Sequence, residues 1–190
     1  MKIDLTYVLT NGKIAKMRGG NYKGLVSLGH MGTHFDVMDK IFSLDYSELR
    51  GVAFDVSHIS DRDVEISDID AEKVRADDFV LFYTGTIERY EYASDDYSKN
   101  FPQISWGLIK NLVERKVKII GVDTRGLRKG GEHPKADQFC ADNNVFVVEN
   151  LVNLGKICGA ENLTIHTYPM NIRGFTGIPT RVVAEIQEAV

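Results

Sequence analysis

Short apolar runs of strand length recur along the whole chain. They are rich in β-branched and aromatic residues, and glycine, asparagine or charged residues bound them, which is typical of buried strands. The runs lie at 2–9, 25–28, 52–56, 79–83, 117–123, 145–148, 163–168 and 181–184. The dipeptide Asn11-Gly12 follows the first run and predicts a tight hairpin turn.

Two other segments have the period of a helix. Residues 104–115 repeat apolar side chains every three or four positions, with Ser105 as a candidate N-cap. Residues 136–142 are also compatible with a helix, because Pro134 stands where a helix would begin and two asparagines follow its end. A further helix start is expected near Ser67. Helices that alternate with buried strands predict an α/β fold, with a mixed β-sheet core flanked by helices.

The chain is long enough to bury one substantial core. With 190 residues and 43% hydrophobic content, we expect one compact domain over residues 1–190. Segment 88–101 is polar and rich in tyrosine, which predicts an exposed loop or lid, although tyrosines are also ordinary packing residues. Cys140 and Cys158 have no second pair beside them and are predicted to be buried free thiols.

Charge and hydropathy argue against several classes of partner. The net charge is −4, and lysines and arginines are scattered among acids, which disfavours nucleic acid and anionic membranes as partners. No apolar run reaches the roughly eighteen residues of a membrane span, and Asp4 stands where a signal peptide would need an apolar core. We therefore expect a soluble, cytoplasmic protein that acts on a small molecule.

The strongest chemical signal is a short segment with two imidazoles and a carboxylate. In an extended segment His30, His34 and Asp36 are separated by even steps, so all three side chains would point to one side. Two histidine nitrogens and one carboxylate are a ligand set for Zn²⁺, with Mn²⁺ or Fe²⁺ as alternatives, and they leave coordination positions for substrate. The same spacing also arises by chance in helices and polar loops, so an interpretation without metal stays open here.

A second polar constellation lies in the last third of the chain. On a helix His133 and Asp137 would share a face at i and i+4. Glu149 stands at the carboxyl end of the run 145–148, where α/β proteins place site residues. These three residues are therefore candidates for the same site.

Two weaker signals carry alternatives. His58 follows the run 52–56 and is either a site residue or a polar residue at a strand end. The loop 125–131 is basic and rich in glycine, which suits an anionic substrate group, but it lacks the pattern of a phosphate-binding loop. A solvated loop is the simpler interpretation of that segment.

On these motifs the sequence resembles the cyclase family of metal-dependent hydrolases, which includes bacterial kynurenine formamidase and isatin hydrolase. That family carries His-x-Gly-Thr-His-x-Asp-x-Pro-x-His, and the chain matches its first seven positions as His30-Met31-Gly32-Thr33-His34-Phe35-Asp36. Weaker matches occur in the expected order at 4–6, 84–85, 121–124, 147–151 and 177–181. The resemblance implies a cyclase-like swivelling β/β/α fold and a homodimer or homotetramer.

The resemblance also implies a metal site. It assigns His30, His34 and Asp36 to one ion, and it implies that Asp36 bridges to a second ion held also by Glu149. One or two ions are therefore expected, as Zn²⁺ or, alternatively, Mn²⁺.

A ligand from the preceding helix completes the second site in this family. It is usually a histidine about twelve positions before the glutamate. This chain has Asp137 at that position and His133 one turn earlier. Asp137 is therefore preferred to His133 as the helix ligand.

The chain departs from the family pattern after Asp36. Met38 and Lys40 stand where the family has proline and the histidine that acts as general acid and base. The hypothesis that Lys40 takes over requires nearby cations and desolvation to lower its pKa. Its replacement of the histidine equally supports an alternative, in which the protein binds a metal or small molecule without turnover.

The expected reaction is attack by metal-activated hydroxide on the carbonyl of an amide, formamide or lactam. We expect an arylformamidase-like hydrolase, in which Tyr90, Trp106 or Phe35 forms an apolar wall for an aromatic substrate. A purely structural role is a third alternative, and an accessible bound metal would contradict it.

Overall fold

The described residues form one mixed sheet of nine strands. The computed structural model describes residues 1–19 and 23–187, so residues 20–22 and 188–190 of the predicted domain lie outside this description. The strands are β1 (Lys2–Asp4), β2 (His34–Asp36), β3 (Glu48–Asp55), β4 (Phe79–Tyr83), β5 (Ile119–Val122), β6 (Phe146–Glu149), β7 (Leu163–Thr167), β8 (Gly177–Pro179) and β9 (Val182–Ile186). Their order is β1-β9-β7-β3-β4-β5-β6-β2-β8, in which β3 to β6 run parallel and all other pairs are antiparallel.

Six helices accompany the sheet in the described part of the chain. They are α1 (Asn11–Gly19), α2 (Lys23–Ser27), α3 (Thr86–Arg89), α4 (Asp95–Lys99), α5 (Trp106–Glu114) and α6 (His133–Asp142). The predicted cap of α5 is confirmed, because the Ser105 side chain accepts a hydrogen bond from the Leu108 amide. Pro134 stands in the first turn of α6, as predicted.

Helices α5 and α6 cover one face of the parallel strands. Their apolar side chains join a core formed by residues of β3 to β6, with Leu108, Ile109 and Leu112 from α5 and Ala136 and Cys140 from α6. The sheet curls, and its antiparallel strands contribute Phe35, Ile165, Val182 and Ala184 to a second core on the other face. The predicted α/β class with a mixed sheet is therefore confirmed.

Several local predictions were wrong. Residues 25–28 belong largely to α2 and the turn after it, and Asn11-Gly12 begins α1 rather than a hairpin. The hairpin does not form because β1 pairs with β9 at the far end of the chain, so no neighbouring strand follows it in sequence. The helix expected near Ser67 is a pair of short 3-10 turns.

The tyrosine-rich segment 88–101, predicted as an exposed loop or lid, is partly helical. Segment 88–101 contains the end of α3 and all of α4. Cys140 is buried and Cys158 is half-buried, and both are free thiols. Within residues 1–19 and 23–187, no helix is long and apolar enough to cross a membrane.

Candidate metal centre

Three of the predicted ligands approach one another at β2. His34 and Asp36 are both buried and alternate along this strand, so they share one face as the period-2 pattern predicts. His30 precedes the strand in a loop where Gly29 and Gly32 have φ values of +92° and +62°. The turn of this loop, rather than an extended strand, brings His30 to the other two residues.

The donor atoms of these residues form a tight triangle. His30 Nδ1 lies 3.1 Å from His34 Nε2 and 2.8 Å from Asp36 Oδ1, and His34 Nε2 lies 3.5 Å from the same oxygen. Ligands at about 2.1 Å from a cation are separated by roughly 3.0–3.4 Å in octahedral or tetrahedral geometry. The triangle therefore fits a divalent cation, and we call these three residues the nitrogen-rich group.

Hydrogen bonds on the outer side orient both rings of the nitrogen-rich group. His34 Nδ1 lies 2.8 Å from the carbonyl oxygen of Gly32, so this nitrogen carries the proton and donates it. His30 Nε2 lies 2.8 Å from Thr176 Oγ1. Such outer partners fix the tautomer and orientation of metal-binding histidines, leaving the inner nitrogens to face a cation.

A second group shares Asp36 and contains all three candidates from the last third of the chain. His133 Nε2 lies 2.8 Å from Glu149 Oε1 and 3.1 Å from Asp137 Oδ2, and one donor atom of each residue lies within 4.8 Å of the others and of Asp36. The pairing of β2 with β6 sets His34 opposite Glu149, which joins the two groups. Asp36, His133, Asp137 and Glu149 form what we call the carboxylate-rich group.

Gly126 makes room for the carboxylate-rich group. Its φ is +140°, and a Cβ atom there would lie 2.9 Å from His133 Nε2 and 3.1 Å from Glu149 Oε1. Both contacts are shorter than ordinary van der Waals distances, so a side chain at this position would push the two candidate ligands away. The glycine of the 125–131 loop is thus part of the site's geometry.

Three carboxylate oxygens at the centre are buried without a hydrogen-bond donor in the described residues, apart from the nearby His30 Nδ1, which donates to Asp36 Oδ1 only when that nitrogen is protonated. They are both side-chain oxygens of Asp36 and Oδ1 of Asp137. Burying carboxylate oxygens without a partner is unfavourable by several kcal/mol unless a cation or a donor compensates them. These unpartnered oxygens, together with the donor triangle, show that the residues present fit a bound divalent cation.

The crowding of charged groups shifts their protonation. Burial lowers the pKa of His34, but the carboxylates of Asp36 and Glu149 outweigh it and raise the pKa to about 9. Burial also lowers the pKa of His133, but the carboxylates of Glu149 and Asp137 outweigh it and raise that pKa to about 11. Burial and the Asp36 carboxylate raise the pKa of Asp137 to about 7. Protons and a divalent cation would therefore compete for the same groups.

Both groups open into a cavity of about 300 Å³ with a largely apolar wall. Met17, Leu25 and Leu28 come from α1, α2 and the turn that follows α2, and Tyr92 and Tyr97 come from the tyrosine-rich segment. Polar groups occur mainly at the cluster itself. Apolar walls with a few convergent polar groups are typical of small-molecule sites.

The aromatic residues predicted for this wall lie elsewhere. Phe35 is buried in the core of the sheet, and Trp106 packs against Phe139 at 6.0 Å between ring centroids. Tyr90 packs at the edge of the Met17 and tyrosine cluster without lining the cavity. The prediction selected the correct tyrosine-rich segment but the wrong side chains, because its local helices set which tyrosines point inward.

The structure gives Lys40 a different setting from the one predicted. Its Nζ lies 3.0 Å from Asp39 Oδ2 and 2.9 Å from Asp142 Oδ1 at the surface, and it does not line the cavity of the two groups. Hydrogen bonds to Asp142 and Asp39 raise its pKa, whereas a base would need the pKa to fall. Met38 lines the cavity instead, and His58 is exposed at a turn after β3.

Asn150 is a supporting residue that the sequence motifs did not identify. Its Nδ2 donates to the Gly32 carbonyl at 2.9 Å, and its Oδ1 accepts from the Tyr97 hydroxyl at 2.6 Å. Its own carbonyl accepts from Thr33 Oγ1 at 2.8 Å. Asn150 therefore ties the loop of the nitrogen-rich group to the end of β6. An asparagine directly after a strand-end glutamate is the one sequence signal for this role.

A family model matches the part of the chain that contains the nitrogen-rich group. The protein-family model Cyclase matches residues 3–127, which include the nitrogen-rich group. No curated protein matches the chain in sequence.

Solved structures with this fold include isatin hydrolases. Isatin hydrolase A from Labrenzia aggregata, solved with benzyl benzoate, has a TM-score of 0.76 at 21% identity over 99% of this chain and 94% of its own. Isatin hydrolase A from Ralstonia solanacearum has a TM-score of 0.69 at 22% identity, over 83% and 72%.

A third structure, described as a predicted metal-dependent hydrolase from Bacillus stearothermophilus, has a TM-score of 0.70 at 18% identity over 97% of both chains. At such identities the likeness shows the fold alone, whereas the family model spans well over half of this sequence. The chain therefore belongs to the cyclase family and has the fold of metal-dependent hydrolases.

Proposed function

We propose that the protein is a metal-dependent hydrolase that cleaves the carbon–nitrogen bond of a small amide, formamide or lactam. The observation that carries this proposal is the pair of ligand groups that share Asp36 at the base of an apolar cavity. Six residues would hold one or two cations: His30, His34, Asp36, His133, Asp137 and Glu149. Nitrogen donors favour Zn²⁺ in the first group, and the three carboxylates favour Zn²⁺ or Mn²⁺ in the second.

A bound divalent cation would polarise the substrate carbonyl and make water a better nucleophile near neutral pH. The protein itself positions and shields the reacting groups. Tyr92, Tyr97 and the side chains of α1 and α2 exclude bulk water and offer an apolar surface to the organic part of the substrate. The Tyr97 hydroxyl donates to Asn150, so it orients the loop rather than acting as an acid.

His133 is the group best placed to carry a proton in this site. It lines the cavity, about one fifth of its side chain is exposed, and its Nε2 contacts Glu149 and Asp137. We propose that His133 carries a proton when only the nitrogen-rich group holds a cation and becomes a ligand when both groups are filled, because the family's separate histidine is absent at position 40.

One observation favours a second candidate function. All three histidines of the cavity belong to the two ligand groups, while His58 is exposed and His166 bonds to Glu185 on the sheet. If all three bind cations, no separate imidazole is left as a base. The second candidate is a metal-containing binding protein without turnover.

A panel of substrates with the metal-loaded protein separates the two functions. We expect hydrolysis of aryl formamides, lactams or both, loss of it on chelation, and loss of it in Asp36→Asn. Asp39→Asn is the matched control, because it removes an exposed carboxylate three residues away. Stoichiometric bound metal with no turnover of any amide, formamide or lactam would instead favour the binding protein.

A further inference from the structure

One positively charged residue lines the wall of the cavity. Arg125 is the one lysine or arginine among the described residues that line it, and it is half-buried. Burial raises the pKa of the Tyr97 hydroxyl well above 10, and the charge of Arg125 is close enough to oppose that rise. Arg125 therefore places a positive charge at the wall of the cavity. Arginine stays protonated at any working pH.

The backbone on both sides of Arg125 is held in place. The Thr124 carbonyl accepts from the Asn150 amide at 3.0 Å, and Thr124 Oγ1 donates to the Gly126 carbonyl at 2.8 Å. Asp123 accepts hydrogen bonds from the amide and hydroxyl of Thr84. The side chain of Arg125 therefore starts from a fixed point at the edge of the cavity.

Arg125 also lies next to the candidate ligands. A Cβ on the following residue, Gly126, would be 2.9 Å from His133 Nε2 and 3.1 Å from Glu149 Oε1. Consecutive Cα atoms are about 3.8 Å apart, so Arg125 starts within one small-molecule length of the carboxylate-rich group. If the carbonyl of a substrate lies at the carboxylate-rich group, substituents a few bonds from that carbonyl would come within reach of Arg125.

The chemistry of the lining indicates what such a group would be. Most of the wall is apolar, so a charge–charge contact there is less screened than at the surface. Guanidinium matches a carboxylate with two parallel hydrogen bonds. We propose that Arg125 selects amide substrates that carry a carboxylate a few bonds from the scissile carbonyl. This specificity rests on the proposed hydrolase function.

A matched pair of substrates tests the inference. The probes are 2-formamidobenzoate and its neutral analogue 2-formamidobenzamide, both tested with the metal-loaded full chain. We expect the wild type to prefer the benzoate by roughly ten- to a hundredfold in kcat/KM, as a charged hydrogen-bonded pair would give. Arg125→Gln should lose that preference while its kcat/KM for the benzamide stays within about threefold. Arg125→Lys should recover part of the preference, because it keeps the charge without the planar fork.

The controls distinguish the ways in which the inference would fail. Arg173→Gln removes an exposed positive charge outside this cavity and should leave the preference unchanged. Equal rates for both substrates in the wild type would overturn the inference. A preference that persists in Arg125→Gln would also overturn it, because the cation or another group would then bind the carboxylate.

A different result would concern the proposed hydrolase function itself. If neither substrate is hydrolysed, the proposed hydrolase function fails for aryl formamides. The binding of 2-formamidobenzoate and of 2-formamidobenzamide is then compared by calorimetry. Weaker benzoate binding in Arg125→Gln, with benzamide unaffected, would support the role of Arg125. Unchanged benzoate binding would contradict it.

Discussion

Replacing Gly126 by alanine perturbs the carboxylate-rich group at one defined point. The new Cβ would lie 2.9 Å from His133 Nε2, 3.0 Å from His133 Cδ2 and 3.1 Å from Glu149 Oε1. Ordinary contacts begin near 3.4 Å, so the two side chains must retreat by about 0.3–0.5 Å. Metal sites tolerate only about 0.2 Å of displacement, so cation affinity should fall by roughly 10- to 100-fold.

The backbone adds a separate cost to the same substitution. A φ of +140° is essentially restricted to glycine, and alanine there destabilises the fold by roughly 1–3 kcal/mol. Gly130→Ala is the matched control, because Gly130 lies in the same loop at φ +57° and its Cβ would meet nothing within 4 Å. We expect that control to lower the melting temperature slightly without changing cation affinity.

Calorimetric titration of the apo-protein with Zn²⁺ and with Mn²⁺ measures the predicted difference in cation affinity between the two variants. Thermal unfolding of the apo-protein measures the backbone cost separately. If Gly126→Ala binds both cations as tightly as Gly130→Ala does, His133 and Glu149 are not ligands, and the proposed carboxylate-rich site is refuted.

Three further outcomes are expected. Thr176→Val removes the hydrogen-bond partner of His30 Nε2, so cation affinity measured by competition with a chelator should fall about tenfold or more, and an unchanged affinity would contradict the role of this outer partner. Burial raises the pKa of Asp123 to about 6, above its value in the unfolded chain. The folded state therefore holds this proton more tightly, so the contribution of Asp123 to the free energy of unfolding rises as pH falls from about 6 to about 4 and is lost above pH 6. Asp123→Asn should therefore remove about 3 kcal/mol of pH dependence in urea unfolding, whereas a wild-type-minus-variant difference that is constant with pH would refute the assignment. Lys40→Ala should change kcat/KM by less than about threefold, because Lys40 is paired at the surface with Asp39 and Asp142, and a loss of tenfold or more would restore it as a catalytic group.

The sequence predicted the parts of this fold that depend on local pattern. The amphipathic period of 104–115 and the cap at Ser105 predict α5, and the apolar run 79–83 predicts β4, because both signals are contained within a dozen residues. The hairpin predicted at Asn11-Gly12 was wrong because it depends on residues that are distant in sequence. A hairpin needs the next strand as a partner, and β1 pairs with β9 instead.

In the candidate site too, local features were predictable from the sequence and features that depend on distant residues were not. Even spacing predicts that His34 and Asp36 share a face, and the i, i+4 spacing predicts that His133 and Asp137 meet, so both pairs follow from local geometry. The setting of Lys40 depends on Asp142, a hundred residues away in sequence, and therefore could not be read from the motif. For the loop 125–131 the sequence leaves both an anionic substrate contact and a solvated loop open and favours the second, because nothing local shows that this loop borders the cavity.

Anomalous diffraction from crystals grown with Mn²⁺ or Zn²⁺ tests the central claim most directly. We expect a strong peak at the metal's absorption edge, enclosed by His30 Nδ1, His34 Nε2 and an Asp36 oxygen, with a second peak between Asp36, Glu149 and α6 when both groups are filled. Peaks confined to exposed surface carboxylates at saturating metal, with none inside the triangle of donor atoms, would contradict it.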